Sequence, residues 1–218
     1  MRTANLIMIR HSAAPAGWSG GAALVLTMIA GVIAFIPGAG ANEALQFSRT
    51  DIAAGQWWRI ITGHWTHFSF EHLLWDGLMF ASMGWVVSRY SVKRFLMCVV
   101  ASAAAISLTV YAWQPQFEVY RGLSGIDTAL FTAACVLAGR SAWAKRDHAT
   151  MSVVGIALAG LTAKMTYEVI VGQPVFVQHD TSFTVVPLAH AVGAVIGVLA
   201  GCVGRMGHEG VKARRHER

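Results

Sequence analysis

Charge is what this chain has least of. Of its 218 residues only 13% are charged, while 55% are hydrophobic. A soluble domain of this size carries about 25% charged residues. The mean hydropathy of +0.51 agrees with that shortfall. The composition therefore excludes a separate soluble domain and describes an integral membrane protein. Cysteine is also scarce. Cys98, Cys135 and Cys202 each lie in an apolar run, where a thiol behaves as a small core hydrophobe. No CxxC or Cys/His spacing signals a metal, no nucleotide or haem signature is present, and no internal repeat is evident. A net charge of +6 would suit nucleic acid, but its distribution argues for membrane topology instead.

Six apolar stretches have roughly the length of about 20 residues that a bilayer requires. They are Gly21–Pro37, His72–Arg89, Arg94–Trp113, Gly122–Ser141, Met151–Val171 and Pro187–Arg205. Residues 1–20 precede them, and a basic tail, 206–218, follows. Lysine and arginine test this map. Thirteen fall before span one, between spans two and three, between four and five, and after six. Three, Arg49, Arg59 and Arg121, fall in the other connections, and Lys164 lies inside span five. That asymmetry predicts six spans with both termini cytoplasmic. A competing reading takes Arg2, Arg10, the first apolar run and Ala39-Gly40-Ala41 as a cleaved leader, leaving five spans. The long connection Gly38–Glu71 carries Trp57, Trp58 and Trp65, which are expected at the outer interface.

One stretch does not read as ordinary membrane helix. Arg121-Gly122-Leu123-Ser124-Gly125-Ile126-Asp127 places a serine between glycines at the start of span four. Polar groups at membrane depth are costly and are functional suspects. At 1.5 Å rise per residue, Ser124 lies about 24 Å above the cytoplasmic end of its span, His190 about 22 Å and His72 about 25 Å. Spans four and six also carry small-residue stripes, Gly125, Ala129 and Ala133 on one and Gly193, Gly197 and Gly201 on the other, which allow close backbone approach if the two face one another. His190 could then take the Ser124 proton and make a nucleophile of it. Asp76, Asp127 and Lys164 share a level about 20 Å up. Lys164 is expected to compensate one or both carboxylates, with Glu168 a second candidate; the alternative is that Lys164 and Glu168 pair along span five.

These residues resemble the rhomboid intramembrane serine proteases. Gly122-Leu123-Ser124-Gly125 is similar to their GxSG nucleophile motif. Ala189-His190-Ala191-Val192-Gly193-Ala194-Val195-Ile196-Gly197 is similar to their AHxxGxxxG helix. His67 to Asp76 resembles their HxxxxHxxxN stretch, and Gln56-Trp57-Trp58-Arg59 their tryptophan–arginine loop element. The resemblance implies an all-α, six-helix rhomboid-like membrane domain over 21–205. It implies Ser124 as nucleophile, His190 as general base, and an oxyanion hole from His72 and the Ser124 backbone N–H. The Asp76 position would complete that hole, with His67, Gly122 and Gly125 supporting the site; Asp127 and Lys164 are added as site support from their shared depth, not from the resemblance. It implies no cofactor or metal and transmembrane protein substrates in the lipid bilayer, with the site facing outward; the lack of long domains suggests a bacterial inner membrane. Gly-Leu-Ser-Gly with the Trp75-Asp76 pair also looks like rhombosortases, a subgroup that processes C-terminal Gly-Gly tails.

Two residues depart from the pattern. Asp76 stands where the family has a donating Asn, and an ionised Asp would repel the oxyanion. Asp127 stands where a small or apolar residue is expected. Asp76 sustains an alternative, an inactive rhomboid-like protein that binds membrane clients. The buried charges suit a small ion-relay transporter, which would not account for Gly-Leu-Ser-Gly. The connection Gly172–Val186 is expected to form a flexible cap.

Overall fold

The computed structural model describes residues 40–175 and 185–203, with Gly21, Val25, Leu26 and Ile29 before them. Most of the first expected span, both terminal segments and the middle of the 172–186 connection lie outside the described residues. Five long helices carry the fold: α4 (Phe70–Tyr90), α5 (Val92–Trp113), α6 (Ser124–Lys145), α7 (His148–Val171) and α8 (Pro187–Cys202). Ahead of them, α1 (Ala41–Leu45), α2 (Arg49–Ala53), α3 (Arg59–Thr62) and a 3₁₀ turn (Gly63–Trp65) build up the long connection. The one β-ladder among the described residues pairs β1 (Phe47–Ser48) with β2 (Val119–Tyr120), antiparallel, Phe47 opposite Tyr120. α5 and α7 are long and apolar enough to cross a membrane; α8 is apolar but shorter.

Three of the helices begin earlier than hydropathy alone would place them, because a polar cap starts each one. Ser69 accepts the His72 N–H, Ser91 the Arg94 N–H and Asp147 the Thr150 N–H. Each cap satisfies a backbone donor that the first helical turn leaves without an internal partner.

α6 is the central helix and packs against α4, α5, α7 and α8. Its tightest neighbour is α8. A Cβ on Gly193 would fall inside contact distance of the Gly125 carbonyl oxygen, and one on Gly197 inside that of Ala129. A Cβ on Gly201 would come within 2.6 Å of the Val136 Cβ. The expected glycine stripe thus faces α6 with backbone touching backbone. Such small-residue contact is how helices associate where lipid removes the hydrophobic drive between them. α7 is the opposite case: Glu168 is its only buried residue.

The three arginines that run against the charge asymmetry are all engaged at the same end of the bundle. Arg49 donates to the carbonyls of Val110, Tyr111 and Gln114, closing the C-terminal end of α5. Arg59 donates to the Glu43 and Gln46 carbonyls and pairs with Asp51 at 3.1 Å. Arg121 donates to Gln46 Oε1 at 2.7 Å and sits over the Phe68 ring. Trp57 and Trp58 are exposed, as an interfacial position requires, but Trp65 is buried in the core. At the opposite end Arg140 donates to the Gly201 and Cys202 carbonyls and Arg94 to that of Val203. Cations on these carbonyls suit the negative end of the α8 dipole.

Candidate active site

Ser124 is the first residue of α6, and His190 lies one turn into α8. The glycine contact beneath them brings Ser124 Oγ to 3.0 Å from His190 Nε2. The other ring nitrogen of His190, Nδ1, lies 3.0 Å from Glu168 Oε2 on α7. Glu168 Oε1 in turn is 2.7 Å from Lys164 Nζ. A cavity of about 160 Å³ lies over the serine, lined by Phe68, Phe117, Tyr120 and Arg121 among others.

Gly122 makes the turn into α6. Its φ of +114° is a left-handed conformation that side chains resist, and a Cβ there would sit 2.7 Å from His72 Nε2 and 3.1 Å from Asp76 Oδ2. Both the conformation and the space demand glycine. Gly125 is equally confined, between Ile106 and the Ala189 carbonyl.

Asp76, expected at the oxyanion hole, has its Oδ2 engaged as an acceptor, taking the Leu123 backbone N–H at 2.7 Å. The same oxygen lies 3.2 Å from His72 Nε2 and 3.4 Å from His67 Nε2. A carboxylate that accepts one backbone N–H and faces two imidazoles is a clamp on the loop preceding the nucleophile. An Asn in its place would offer one neutral acceptor oxygen. The His67 and His72 rings meet edge to face at 5.0 Å. Burial, opposed by Asp76, pushes His67 below the usual imidazole range.

Lys164 reaches Asp127 through its charge only and makes its direct contact elsewhere. Its ammonium contacts Glu168 one turn further along its own helix, as the alternative sequence reading had it. Asp127 is buried, feels the charges of Asp76 and Lys164, and its Oδ1 has no hydrogen-bond partner among the described residues.

Three residues near the serine escaped the sequence reading in whole or part. His64 is fully buried, with Nδ1 3.3 Å from the Gly122 carbonyl and Nε2 3.0 Å from both the Ala103 carbonyl and Ser107 Oγ. Burial pushes its pKa down to about 4, so it is neutral at physiological pH. Tyr120 is buried beside Ser124, and burial foremost raises its phenol above the ordinary range. Glu168 was named only as a partner for Lys164. Its signal was a lone carboxylate in an apolar span, but no periodicity shows that it points at His190.

These elements define a class: a helical, membrane-type bundle with a serine–histidine pair in its interior. The particular family follows from comparison. Residues 54–206, more than half of the chain, match the Rhomboid domain, and the chain belongs to the rhomboid family of intramembrane proteases. It is 29% identical over 112 residues to the Bacillus subtilis (strain 168) protein named "Putative rhomboid protease YdcA". That match covers 50% of this chain and 56% of the relative, so the chain spans about half the length of that protein.

Proposed function

We propose that this chain is an intramembrane serine endopeptidase that cleaves transmembrane substrates near the outer membrane surface. The observation that carries the reading is the Ser124 Oγ to His190 Nε2 distance of 3.0 Å, in a cavity at the end of two closely packed helices. In this reading residues 21–205 form six spans, with 1–20 and 206–218 on the cytoplasmic side of a bacterial inner membrane. The basic tail then meets lipid headgroups.

The chemistry follows from the donors and acceptors present. His190 Nε2 accepts the Ser124 proton as Oγ attacks a substrate carbonyl carbon. The carbonyl π pair moves onto oxygen, and the backbone N–H groups opening α6 face it. The N–H groups of Ser124, Gly125 and Ile126 have no internal helical acceptor, and the helix dipole adds to them. In this reading His72, whose Nε2 also faces Asp76, contributes a ring N–H. Each such donor is worth roughly 2.7–4 kcal/mol of barrier. Collapse of the tetrahedral species breaks the C–N bond. The imidazolium gives its proton to the leaving amine, and the acyl-enzyme is then hydrolysed by water activated at the same nitrogen.

Asp76 had kept the inactive client-binding alternative in play. As a clamp on Leu123 it supports an intact nucleophile loop instead. The finer reading, a rhombosortase acting on Gly-Gly tails, rests on Gly122-Leu123-Ser124-Gly125 with Trp75 and Asp76.

The test uses purified wild type, Ser124→Ala and His190→Ala with a membrane-anchored reporter carrying a small-residue cleavage region. Cleavage by wild type, lost in both variants and accompanied by fluorophosphonate labelling that disappears in Ser124→Ala, is the expected result. Client binding without cleavage or labelling would favour the inactive alternative. Preference for a reporter ending in a Gly-Gly tail over one without it would carry the rhombosortase assignment.

A further inference from the structure

We propose that Glu168 is the positioning carboxylate of a three-residue relay, Ser124–His190–Glu168, with Lys164 setting the strength of its charge. The proposal rests on the protease reading for its kinetic consequences, but its geometry stands independently.

Glu168 Oε2 and His190 Nδ1 are 3.0 Å apart. Each is buried, and neither has a hydrogen-bond partner elsewhere among the described residues. Each is therefore the other's available partner. A carboxylate on Nδ1 fixes the tautomer: Nδ1 carries the proton, and Nε2 presents its lone pair to the serine hydroxyl. The opposite tautomer would point an N–H at Ser124 and could not act as a base. When His190 takes the serine proton, the positive charge arises beside a carboxylate that is 2% exposed, where little solvent screens it.

The position of Glu168 is informative in itself. α7 presents an apolar surface with residues such as Ile156 and Ile170 largely exposed. Glu168 is the one residue it buries. A buried carboxylate needs partners, and this one has two, on opposite oxygens: His190 on Oε2 and Lys164 on Oε1. Lys164 is partly exposed, so the relay runs from the bundle interior to its lipid-facing side. A structural ion pair would be complete with Lys164 alone. The second oxygen is directed at the base.

Other charged or titratable groups near His190 are Arg121 and the neutral Tyr120, which line the same cavity, and Asp127 on α6, which feels Lys164 and Asp76. His72 and His67 face Asp76 on the far side of the serine loop. All are common to every variant compared below, so a difference between variants reports on the altered residue.

The experiment has two readouts. The first is the NMR titration of His190, assigned by its loss in His190→Asn and followed in a Ser124→Ala background, which needs no activity. Glu168→Gln, close in shape, should lower the His190 midpoint by about 1 pH unit or more, because an opposite charge within contact favours the protonated ring. Lys164→Gln should raise it, because the cation no longer offsets the carboxylate. Opposite signs from two neighbours are not what a packing defect gives. Equal midpoints in wild type and both variants would overturn the proposal.

The second readout is the pH–rate profile of reporter cleavage with Ser124 intact. Glu168→Gln should cut kcat by about 10²-fold or more, with KM little changed and the acid limb displaced to lower pH. Glu168→Asp should recover part of the rate. A fall in thermal stability with an unmoved acid limb and an unmoved His190 midpoint would make Glu168 a tether for α7 and nothing more. Midpoints shifted in Glu168→Gln and Lys164→Gln, with no cleavage by wild type, would sustain the relay and sink the protease reading.

Discussion

α7 and α8 both reach the same imidazole, and they are held in opposite ways. α8 carries His190 and lies with Gly193, Gly197 and Gly201 pressed on the α6 backbone. α7 carries Glu168 and buries nothing else. The first contact is fixed by covalent geometry on both sides and cannot slide without a clash. The second is fixed by a carboxylate between two partners. The serine–histidine distance is thus set by backbone packed on backbone, and the histidine–glutamate distance by a helix that lies against α6 but buries a single side chain.

The most disruptive way to test that contrast is to fill the α6–α8 contact. Gly193→Val should force the helices apart directly below Ser124, since the added Cβ meets the Gly125 carbonyl. A misplacement of about 1 Å at a reacting pair costs about 10²-fold in rate. Reporter cleavage and fluorophosphonate labelling of Ser124 should therefore fall together by at least that factor. Overpacking should add a stability loss of about 1–3 kcal/mol, seen as a lower unfolding temperature in detergent. Near-normal labelling in this variant would show that the glycine contact does not hold the pair in place.

Asp76 belongs to the α6 side of that contrast and should give the next largest effect. Asp76→Ala removes the acceptor for the Leu123 N–H and leaves that buried donor and two imidazoles to find other partners. The loss of a charged acceptor should cost about 1–3 kcal/mol, with a comparable fall in cleavage from a loosened serine loop. Asp76→Asn keeps a carbonyl oxygen for Leu123 and should be intermediate. Faster cleavage by Asp76→Asn than by wild type would mean the carboxylate is a handicap near the oxyanion and not a clamp.

How much of this was legible beforehand depends on the range of each interaction. The helices from α4 onward followed from apolar runs; three begin earlier where Ser69, Ser91 and Asp147 cap them, and α6 begins two residues later than expected, at Ser124, after the Gly122 turn. The pairing of Gly125, Ala129 and Ala133 with the α8 glycines was readable because a four-residue spacing marks one helix face. The Ser124–His190 meeting followed from depth and that face. The partners of Asp76 were not legible, because a residue type alone does not say whether its oxygen will accept from Leu123 or confront an oxyanion. Glu168 was under-read because an apolar helix with one carboxylate shows no preferred face until its neighbours are known. The β1–β2 ladder joins residues some seventy positions apart, and two-residue strands have no periodicity to detect.

His64 sharpens the comparison through pH, because it anchors the Gly122 carbonyl just ahead of α6. Its pKa falls from 6.5 unfolded to about 4 when buried. Between those values the unfolded chain binds the extra proton, so stability is complete above about pH 6.5 and is lost as pH falls toward 4. The full difference is about 3 kcal/mol by linkage. The stability gap between wild type and His64→Gln should therefore narrow as pH drops from 7 to 4.5, measured by thermal unfolding in detergent. A gap independent of pH would mean the ring is not held neutral. Cleavage should fall only modestly in this variant at neutral pH.

The smallest effect is expected on the other helix, and its smallness is the point. Gly155 and Gly160 on α7 have open space where a Cβ would stand. Alanine at either position meets nothing, and in a helix interior it is favoured over glycine by up to about 1 kcal/mol. Gly155→Ala with Gly160→Ala should leave cleavage within about twofold of wild type and the unfolding temperature unchanged or slightly raised. The same glycine-to-alanine change at Gly197 on α8 should lower both, because its Cβ would press on Ala129 and Thr132. If the α7 pair were as damaging as the α8 change, α7 would have a packed partner along that face, and the open space beside both glycines would be filled in the membrane.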